Sequence, residues 1–382
     1  MYKPLRKLAF FATAAIAAAA ISSGAWAEDK LLKESVDFNG TVIFLTAKVP
    51  GLIFGAVRNG ETAFAGFGET ADGSKREPDG DSLFRIGSIS KAFCGSVLSA
   101  LVVEGKVKLT DRLQDHLVGA SVPDKGGRAI RLLDLVTQTS GLPREVTRPE
   151  TPPNNPFSTN TREAEFAELK NDPLLFVPGT AALYSNYGFD LLGFAIADIA
   201  GKPYADVLKE RVLDPIGMKD TYLNPPEEAK SRVMQGHNFD GSPMPTVPTP
   251  ASIGCAGGLY STANDMLRWM RWHLDTSPSA DSESRVVNHA AYVYRDGLSA
   301  VLGLDDGGQM DAMGLGWVIT MPKNNRPLIL EKSGGLQGFF SYVALAPTRG
   351  VGAFFVMNEF SAGGFNAAVE ATNEIVSALA PR

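Results

Sequence analysis

Three separated segments of the 382-residue chain carry side chains that together could attack a carbonyl. Ser88-Ile89-Ser90-Lys91 opens a helical pattern directly after the apolar run Leu83 to Ile86. Positions three apart share a helix face, so the Ser88 hydroxyl and the Lys91 amine come within hydrogen-bond reach. A lysine is useful there only when neutral. Burial disfavours its charged form and a nearby cation does so further, which lets the amine act as base toward a serine otherwise too weak to attack. At the helix start the Ser88 backbone N–H is also among the unpaired amides, where a developing oxyanion is stabilised. A chain of this length contains about one S-x-x-K by chance, so the motif alone decides little.

The second segment is Tyr184-Ser185-Asn186, which follows Pro178-Gly179-Thr180 and precedes a helix. Near two lysines, its phenol pKa can fall toward the range where a phenolate serves as general base. The Asn186 amide both donates and accepts, which suits it to fixing a lysine and a substrate amide. Taken singly, the segment also fits a helix cap with a half-buried tyrosine. The third segment, Lys332-Ser333-Gly334-Gly335, ends a strand with glycines that permit close backbone approach; singly it also fits a strand-to-turn transition with a solvated lysine.

In the order S-x-x-K, Y-x-N and K-[ST]-G, the set resembles the penicillin-recognising serine enzymes. Phe84 to Lys91, Thr139-Ser140-Gly141-Leu142-Pro143, Pro215-Ile216-Gly217-Met218 and Gly257-Gly258-Leu259-Tyr260-Ser261 look like class C β-lactamases and their carboxypeptidase relatives, and the similarity covers most of the chain after its leader. The resemblance implies an acyl-enzyme mechanism with Ser88 as nucleophile and Lys91 and Tyr184 as proton carriers. Asn186 would orient Lys91 and the substrate amide. Lys332 and Ser333 would attract a terminal carboxylate, and the amides of Ser88 and Gly335 would form an oxyanion hole.

Two positions depart from the class C pattern. Glu145 stands where those enzymes usually place a substrate-contacting glutamine, and Arg85 replaces an acidic residue before the serine motif. Leu142-Pro143-Arg144-Glu145, and Gly314 to Val318 followed by Pro322-Lys323, look closest to the AmpH-like D-alanyl-D-alanine carboxypeptidase/endopeptidases. The resemblance therefore implies a periplasmic serine DD-peptidase that acts on peptidoglycan peptides and binds β-lactams. A true β-lactamase, an esterase on the same scaffold and an inactive cell-wall-peptide binder are the alternatives. An α/β-hydrolase esterase is disfavoured because no G-x-S-x-G elbow occurs.

The elements that must position these groups are legible in outline. Gly51 to Arg58 and Glu61 to Gly68 read as a hairpin, the first folded element, turning at Asn59-Gly60. Helices are predicted from Ser88 to Gly105, and over Ile130–Gln138, Tyr187–Ala200, Tyr204–Leu213 and Thr262–Leu274. Two Pro/Gly-rich connections, Pro149–Pro156 and Asn224–Gly258, are candidate cleft walls. Strands return at Leu328–Lys332, Phe340–Ala346 and Val351–Met357, and a final helix spans Asn366–Ala380. The predicted class is α/β of the α+β type: an antiparallel sheet from both chain ends (28–105 and 315–382) flanked by helices, with a mostly helical region (106–314) inserted and the site at their junction.

Composition agrees with an exported globular enzyme. Apolar residues make up 44% and charged residues 20%, enough for a large core. Lys3, Arg6 and Lys7, the apolar run Leu8 to Ile21 and Ala25-Trp26-Ala27 read as a cleaved signal peptide over residues 1–27, which implies a periplasmic location; its loss takes the net charge from −6 to about −9. No Lys/Arg block marks nucleic acid as a partner. The four histidines are scattered without metal-ligand spacing, and no cofactor is implied. Cys94 and Cys255 read as two small buried thiols rather than a bridge. Asp305-Asp306 and Glu227-Glu228 read as solvated loop charges, and Trp269, Met270 and Trp272 as helix packing. Oligomeric state is not visible, and peripheral membrane association stays open.

Overall fold

The hairpin turn is built as its residues require, with Asn59 at φ 51° and Gly60 at φ 86°, the paired positive dihedrals of a two-residue turn that matches strand twist. Arg58 pairs with Glu61 across it. The computed structural model describes residues 30–380 except Pro153; the leader read over 1–27 lies outside the described residues.

Eight strands form one antiparallel sheet: β1 (Gly51–Arg58), β2 (Glu61–Gly68), β3 (Val293–Tyr294), β4 (Ala312–Met313), β5 (Val318–Thr320), β6 (Ile329–Leu336), β7 (Phe339–Ala346) and β8 (Val351–Met357). Their spatial order is β2-β1-β8-β7-β6-β5-β4-β3. The hairpin from early in the chain thus lies beside the last strand, with Leu52 opposite Met357 and Arg58 opposite Val351. The helices around the sheet and cleft include α1 (Lys30–Ala47), α2 (Ser90–Val103), α3 (Asn186–Ala200), α4 (Ala263–Leu274), α5 (Ser282–His289) and α6 (Ala362–Leu379).

Strand side chains alternate between two cores. Leu52, Phe54, Ala56, Tyr342, Ala344, Phe355 and Met357 face α1 and α6, meeting Leu32, Val36, Ile43, Val369 and Val376. Ile53, Val57, Val343, Leu345, Phe354 and Val356 face the other way, onto Phe93, Val97 and Leu98 of α2 and Trp269 and Met270 of α4. Trp269 is fully buried, stacked between Phe93 at 4.3 Å and Trp317 at 5.4 Å, which is the packing role its helical spacing predicts.

Several elements depart from the sequence expectations. Helix α1 precedes the hairpin, so the hairpin is not the first element. Its buried positions Leu32, Val36, Gly40, Ile43 and Ala47 follow helical spacing, but Gly40 and the β-branched neighbours lower its propensity. A Cβ at Gly40 would lie 2.6 Å from the Phe67 ring, so tertiary packing on β2 is what this glycine serves. The helix expected over Ile130–Gln138 is confined to Leu132–Val136, because Gln138 adopts φ 62°. Lys332 does not end its strand: β6 continues through Ser333 and both glycines to Leu336, held by β7. Finally, Cys94 and Cys255 are joined in a disulfide, with Cα atoms 5.3 Å apart, rather than standing as two thiols. Helix α2 and the Gly-rich segment converge only in three dimensions, across 161 residues of sequence, so their pairing has no local signature.

Among the described residues no helix is long and apolar enough to cross a membrane. The bridge closes a long loop, so replacing both cysteines with alanine should lower unfolding stability by about 2–4 kcal/mol. Denaturant melts of oxidised wild type against Cys94→Ala/Cys255→Ala would measure this; equal midpoints would show that the bridge adds nothing.

Candidate active site

Ser88 sits on a 3-10 turn, Gly87–Ile89, and the regular helix begins only at Ser90, two residues later than predicted. The turn is possible because Gly87 adopts φ 50° and its missing side chain lets strand β6 approach: a Cβ there would stand 2.5 Å from the Gly335 nitrogen. Gly334 is equally constrained, since its Cβ would meet the Ile86 carbonyl oxygen at 2.1 Å and the Ser88 nitrogen at 3.0 Å. Ser341 Oγ adds a hydrogen bond to that same Ile86 carbonyl at 2.8 Å. These contacts seat the Ser88 amide against the Gly334-Gly335 backbone.

Lys91 follows one turn later and is fully buried. Its Nζ lies 3.3 Å from Ser88 Oγ, donates to Asn186 Oδ1 at 2.6 Å and donates to the Ala256 carbonyl. Burial, reinforced by the Lys332 charge, pushes its pKa well below the ordinary lysine value. A neutral amine has two N–H groups. With Asn186 and Ala256 taking both, a neutral Lys91 would turn its lone pair toward the serine. The disulfide holds this arrangement together, for Cys94 is one turn along α2 from Lys91 and Cys255 adjoins Ala256.

Asn186 is the first residue of α3. Ser185 caps the helix by accepting from Gly188 N at 2.9 Å while its hydroxyl donates to the Pro143 carbonyl at 2.6 Å. The cap therefore ties the Tyr184-Ser185-Asn186 segment to the loop that bears Glu145. Asn186 Nδ2 donates to Glu145 Oε1. Because its oxygen is on Lys91, the amide orientation is set by two different partners, and its nitrogen is engaged by Glu145. Tyr184 is 7% exposed, with Lys91 at 4.9 Å, Arg144 at 4.8 Å and Lys332 at 5.3 Å from its ring centroid. The expected lowering of its pKa does not occur. Desolvation outweighs the Ser88 hydrogen bond and the Arg144 charge and raises the phenol well above its ordinary value, so Tyr184 is a neutral phenol.

Lys332 is 5% exposed and donates to the Ser333 carbonyl at 2.7 Å, with Ser333 Oγ at 3.3 Å. Burial lowers its pKa to about 8 against the opposing pull of Asp306 and Glu331. Ser88, Tyr184, Asn186, Ser333 and Gly335 line one open cleft of about 480 Å³, with Lys91 and Lys332 behind its wall. Its far side is aromatic: Phe239, Phe340, Phe360 and Phe365. Of the two connections predicted as walls, Asn224–Gly258 contributes Phe239, whereas none of the described residues of Pro149–Pro156 is among the lining residues. Arg85 explains how the former loop is held. It is 1% exposed and donates to Thr249 Oγ1 at 2.7 Å and to the Val247 carbonyl at 2.6 Å, so it secures a wall and does not enter the cleft.

All eight residues singled out by sequence are brought together here. Three participants were missed. The Ala256 carbonyl is backbone and leaves no signal in residue type. Asp190, buried on α3 one turn beyond Asn186, has its carboxyl pKa raised well above normal by burial and by Glu165, and it feels the Lys91 amine; an acid inside the apolar run Tyr187 to Phe194 was a visible clue. Asp305 and Asp306 are both exposed, as their reading as solvated loop charges expects, but Asp305 pairs with Arg295 at 2.8 Å, and Asp306 also lines the cleft and accepts from Ser333 Oγ at 2.5 Å.

Comparison with known proteins agrees with this geometry. The family profile described as Beta-lactamase matches residues 29–375. The D-alanyl-D-alanine-carboxypeptidase/endopeptidase AmpH of Escherichia coli K12 is 35% identical over 354 residues, covering 92% of this chain and 90% of that protein. A β-lactamase of Pseudomonas fluorescens is 27% identical over 86% of this chain and 94% of its own length. The crystal structure of a β-lactamase/D-alanine carboxypeptidase from Yersinia pestis, complexed with citrate, superposes with a TM-score of 0.83 at 34% identity, over 93% of this chain and 100% of that one. With the serine-lysine, tyrosine-asparagine and lysine-serine-glycine segments meeting in one cleft, the chain belongs to the β-lactamase family.

Proposed function

We propose that this protein is an exported serine D-alanyl-D-alanine carboxypeptidase/endopeptidase that cleaves peptidoglycan peptides through an acyl-enzyme and is acylated by β-lactams. The single observation that carries the reading is the buried Lys91 amine, its pKa pushed well down, 3.3 Å from Ser88 Oγ. Export to the periplasm rests on the leader pattern of residues 1–27. On this reading, residues 28–105 and 315–382 are assigned to the sheet domain that supplies Ser88 and Lys332, and the inserted 106–314 supplies Tyr184 and Asn186 and also lends the sheet its edge strands β3 and β4.

In the first half-reaction Ser88 Oγ bonds to the substrate carbonyl carbon as its proton passes to Lys91 Nζ. The carbonyl oxygen takes the negative charge, opposite the amides of Ser88 and Gly335. When the C–N bond breaks, the neutral Tyr184 phenol gives its proton to the leaving nitrogen and recovers one from Lys91, so the base returns to its starting state. Water then repeats the steps in the opposite sense: it loses a proton to the same relay, attacks the ester carbon and releases Ser88. A phenol suits this role without a lowered pKa, because it never needs to rest as a phenolate. Asn186, fixed by Glu145, keeps the amine aimed, and the Lys332 cation with Ser333 meets the carboxylate at the end of a D-alanyl-D-alanine peptide or a penicillin.

A fluorescent penicillin should label the wild type and not Ser88→Ala, as read on a denaturing gel; a label surviving that substitution would reject the nucleophile. Mass spectrometry of muropeptides after incubation should show loss of terminal D-alanine and cleavage of cross-links. Tyr184→Phe keeps the packing but removes the proton carrier and should lower turnover at least about 100-fold, about 2.7 kcal/mol of barrier. The pH profile follows from the two amines. The Lys91 base is lost as pH falls through its depressed pKa, and the Lys332 cation is lost as pH rises through about 8. The kcat/KM for a carboxylate-bearing substrate should therefore fall above about pH 8, and a flat alkaline limb would remove Lys332 from carboxylate recognition.

A further inference from the structure

The terminal carboxylate of a cleaved peptide has its place set by the leaving nitrogen. Both are bonded to the same Cα, so the carboxylate carbon lies about 2.5 Å from the nitrogen that Tyr184 protonates. A cation that meets this carboxylate must therefore stand beside the Tyr184 phenol. Three basic side chains do: Arg144 at 4.8 Å, Lys91 at 4.9 Å and Lys332 at 5.3 Å from the ring centroid. Lys91 is occupied with Asn186 and the Ala256 carbonyl. Lys332 donates to the Ser333 carbonyl at 2.7 Å and is set against Asp306 and Glu331.

Arg144 carries no such commitments. It is exposed to the cleft that Ser88, Tyr184 and Ser333 line, and among the described residues no carboxylate pairs with its guanidinium. The adjoining Glu145 is engaged by Asn186 Nδ2 instead. The backbone beneath Arg144 is nonetheless held. Its carbonyl accepts from the amides of Asn186 at 2.9 Å and Tyr187 at 3.2 Å in the first turn of α3, and the preceding Pro143 carbonyl accepts from Ser185 Oγ at 2.6 Å. The contacts that place Tyr184 thus place Arg144, whose charge acts on Lys91, Tyr184 and Lys332 alike. A guanidinium stays charged throughout the working pH range, and its parallel N–H groups match the two oxygens of a carboxylate as an ammonium cannot.

We propose that Arg144 is a specificity-determining residue for a free C-terminus: its guanidinium takes the terminal carboxylate of the substrate as a forked pair beside the Tyr184 phenol, sharing it with Lys332 and Ser333. The inference rests on the serine-peptidase reading above and adds to it the cation that the three motifs do not contain. It also accounts for attraction of an anion to a site where Asp306 accepts from Ser333 Oγ at 2.5 Å, because the guanidinium counters that acid.

The test uses an N-acetylated peptide ending in D-alanyl-D-alanine and the same peptide as its C-terminal amide, with release of D-alanine or D-alanine amide followed by chromatography. The readout is the ratio of kcat/KM for acid over amide. Arg144→Gln should lower that ratio about tenfold, and Arg144→Lys, which keeps the charge but loses the fork, should lower it less. A ratio unchanged in Arg144→Gln, whether both rates hold or both fall, with turnover still dependent on Ser88, would overturn the proposal alone. Turnover that survives Ser88→Ala would overturn the peptidase reading and this proposal with it.

Discussion

Burying a lysine nitrogen costs several kcal/mol if it stays charged, and at Lys91 that cost is avoided by giving up the proton. Everything near Ser88 follows from the need to hold a neutral amine in one orientation. Its two N–H groups require two acceptors, and these come from distant places: the Asn186 side chain at the head of α3 and the Ala256 backbone in the Gly-rich segment. Each acceptor is secured in turn. Glu145 and the Ser185 cap fix the first, and the Cys94–Cys255 bridge tethers the second to the helix that carries the lysine. Rotating either acceptor away would leave a buried N–H unpaired, so the stability of the local packing and the direction of the lone pair are the same requirement.

Strand β6 brings the second amine to the same phenol. A strand cannot normally lie against a helix start closely enough for its amides to face a serine. Here Gly87 and Gly334 remove the side chains that would intervene, and the ladder to β7 continues through the approach. The aligned sheet is in turn braced by cores on both faces, one under α1 and α6 and one under α2 and α4. Rigid elements thus deliver Ser88, Lys91 and Lys332, while loops deliver Phe239 and Asp306, the parts of the cleft that meet whatever is bound.

The electrostatic balance of the cleft is finer than two lysines around a tyrosine suggests. Burial pushes the Lys91 pKa well down and the Tyr184 pKa up, while the Lys332 cation is set against Asp306 and shares the cleft with Arg144. The charges around the phenol are thus partly balanced. Family membership explains the acylating machinery; the residues between and around the motifs set what it acts on.

Much of this was legible in residue order. The three motifs, the Asn59-Gly60 hairpin and the apolar faces of α2, α3, α4 and α6 depend on spacing within one element, and spacing is a property of the chain itself. What lay beyond sequence has one physical source, namely contact between segments far apart along the chain. The pairing of Cys94 with Cys255, the Ala256 carbonyl as an acceptor, the extension of β6 past Lys332 by pairing with β7, and the retreat of the helix after Val136 each need a partner that local pattern does not name. The Tyr184 phenol illustrates the same divide: its neighbours could be listed from the motifs, but its protonation state turned on how completely the fold excluded water from it, and only the tertiary structure decided that.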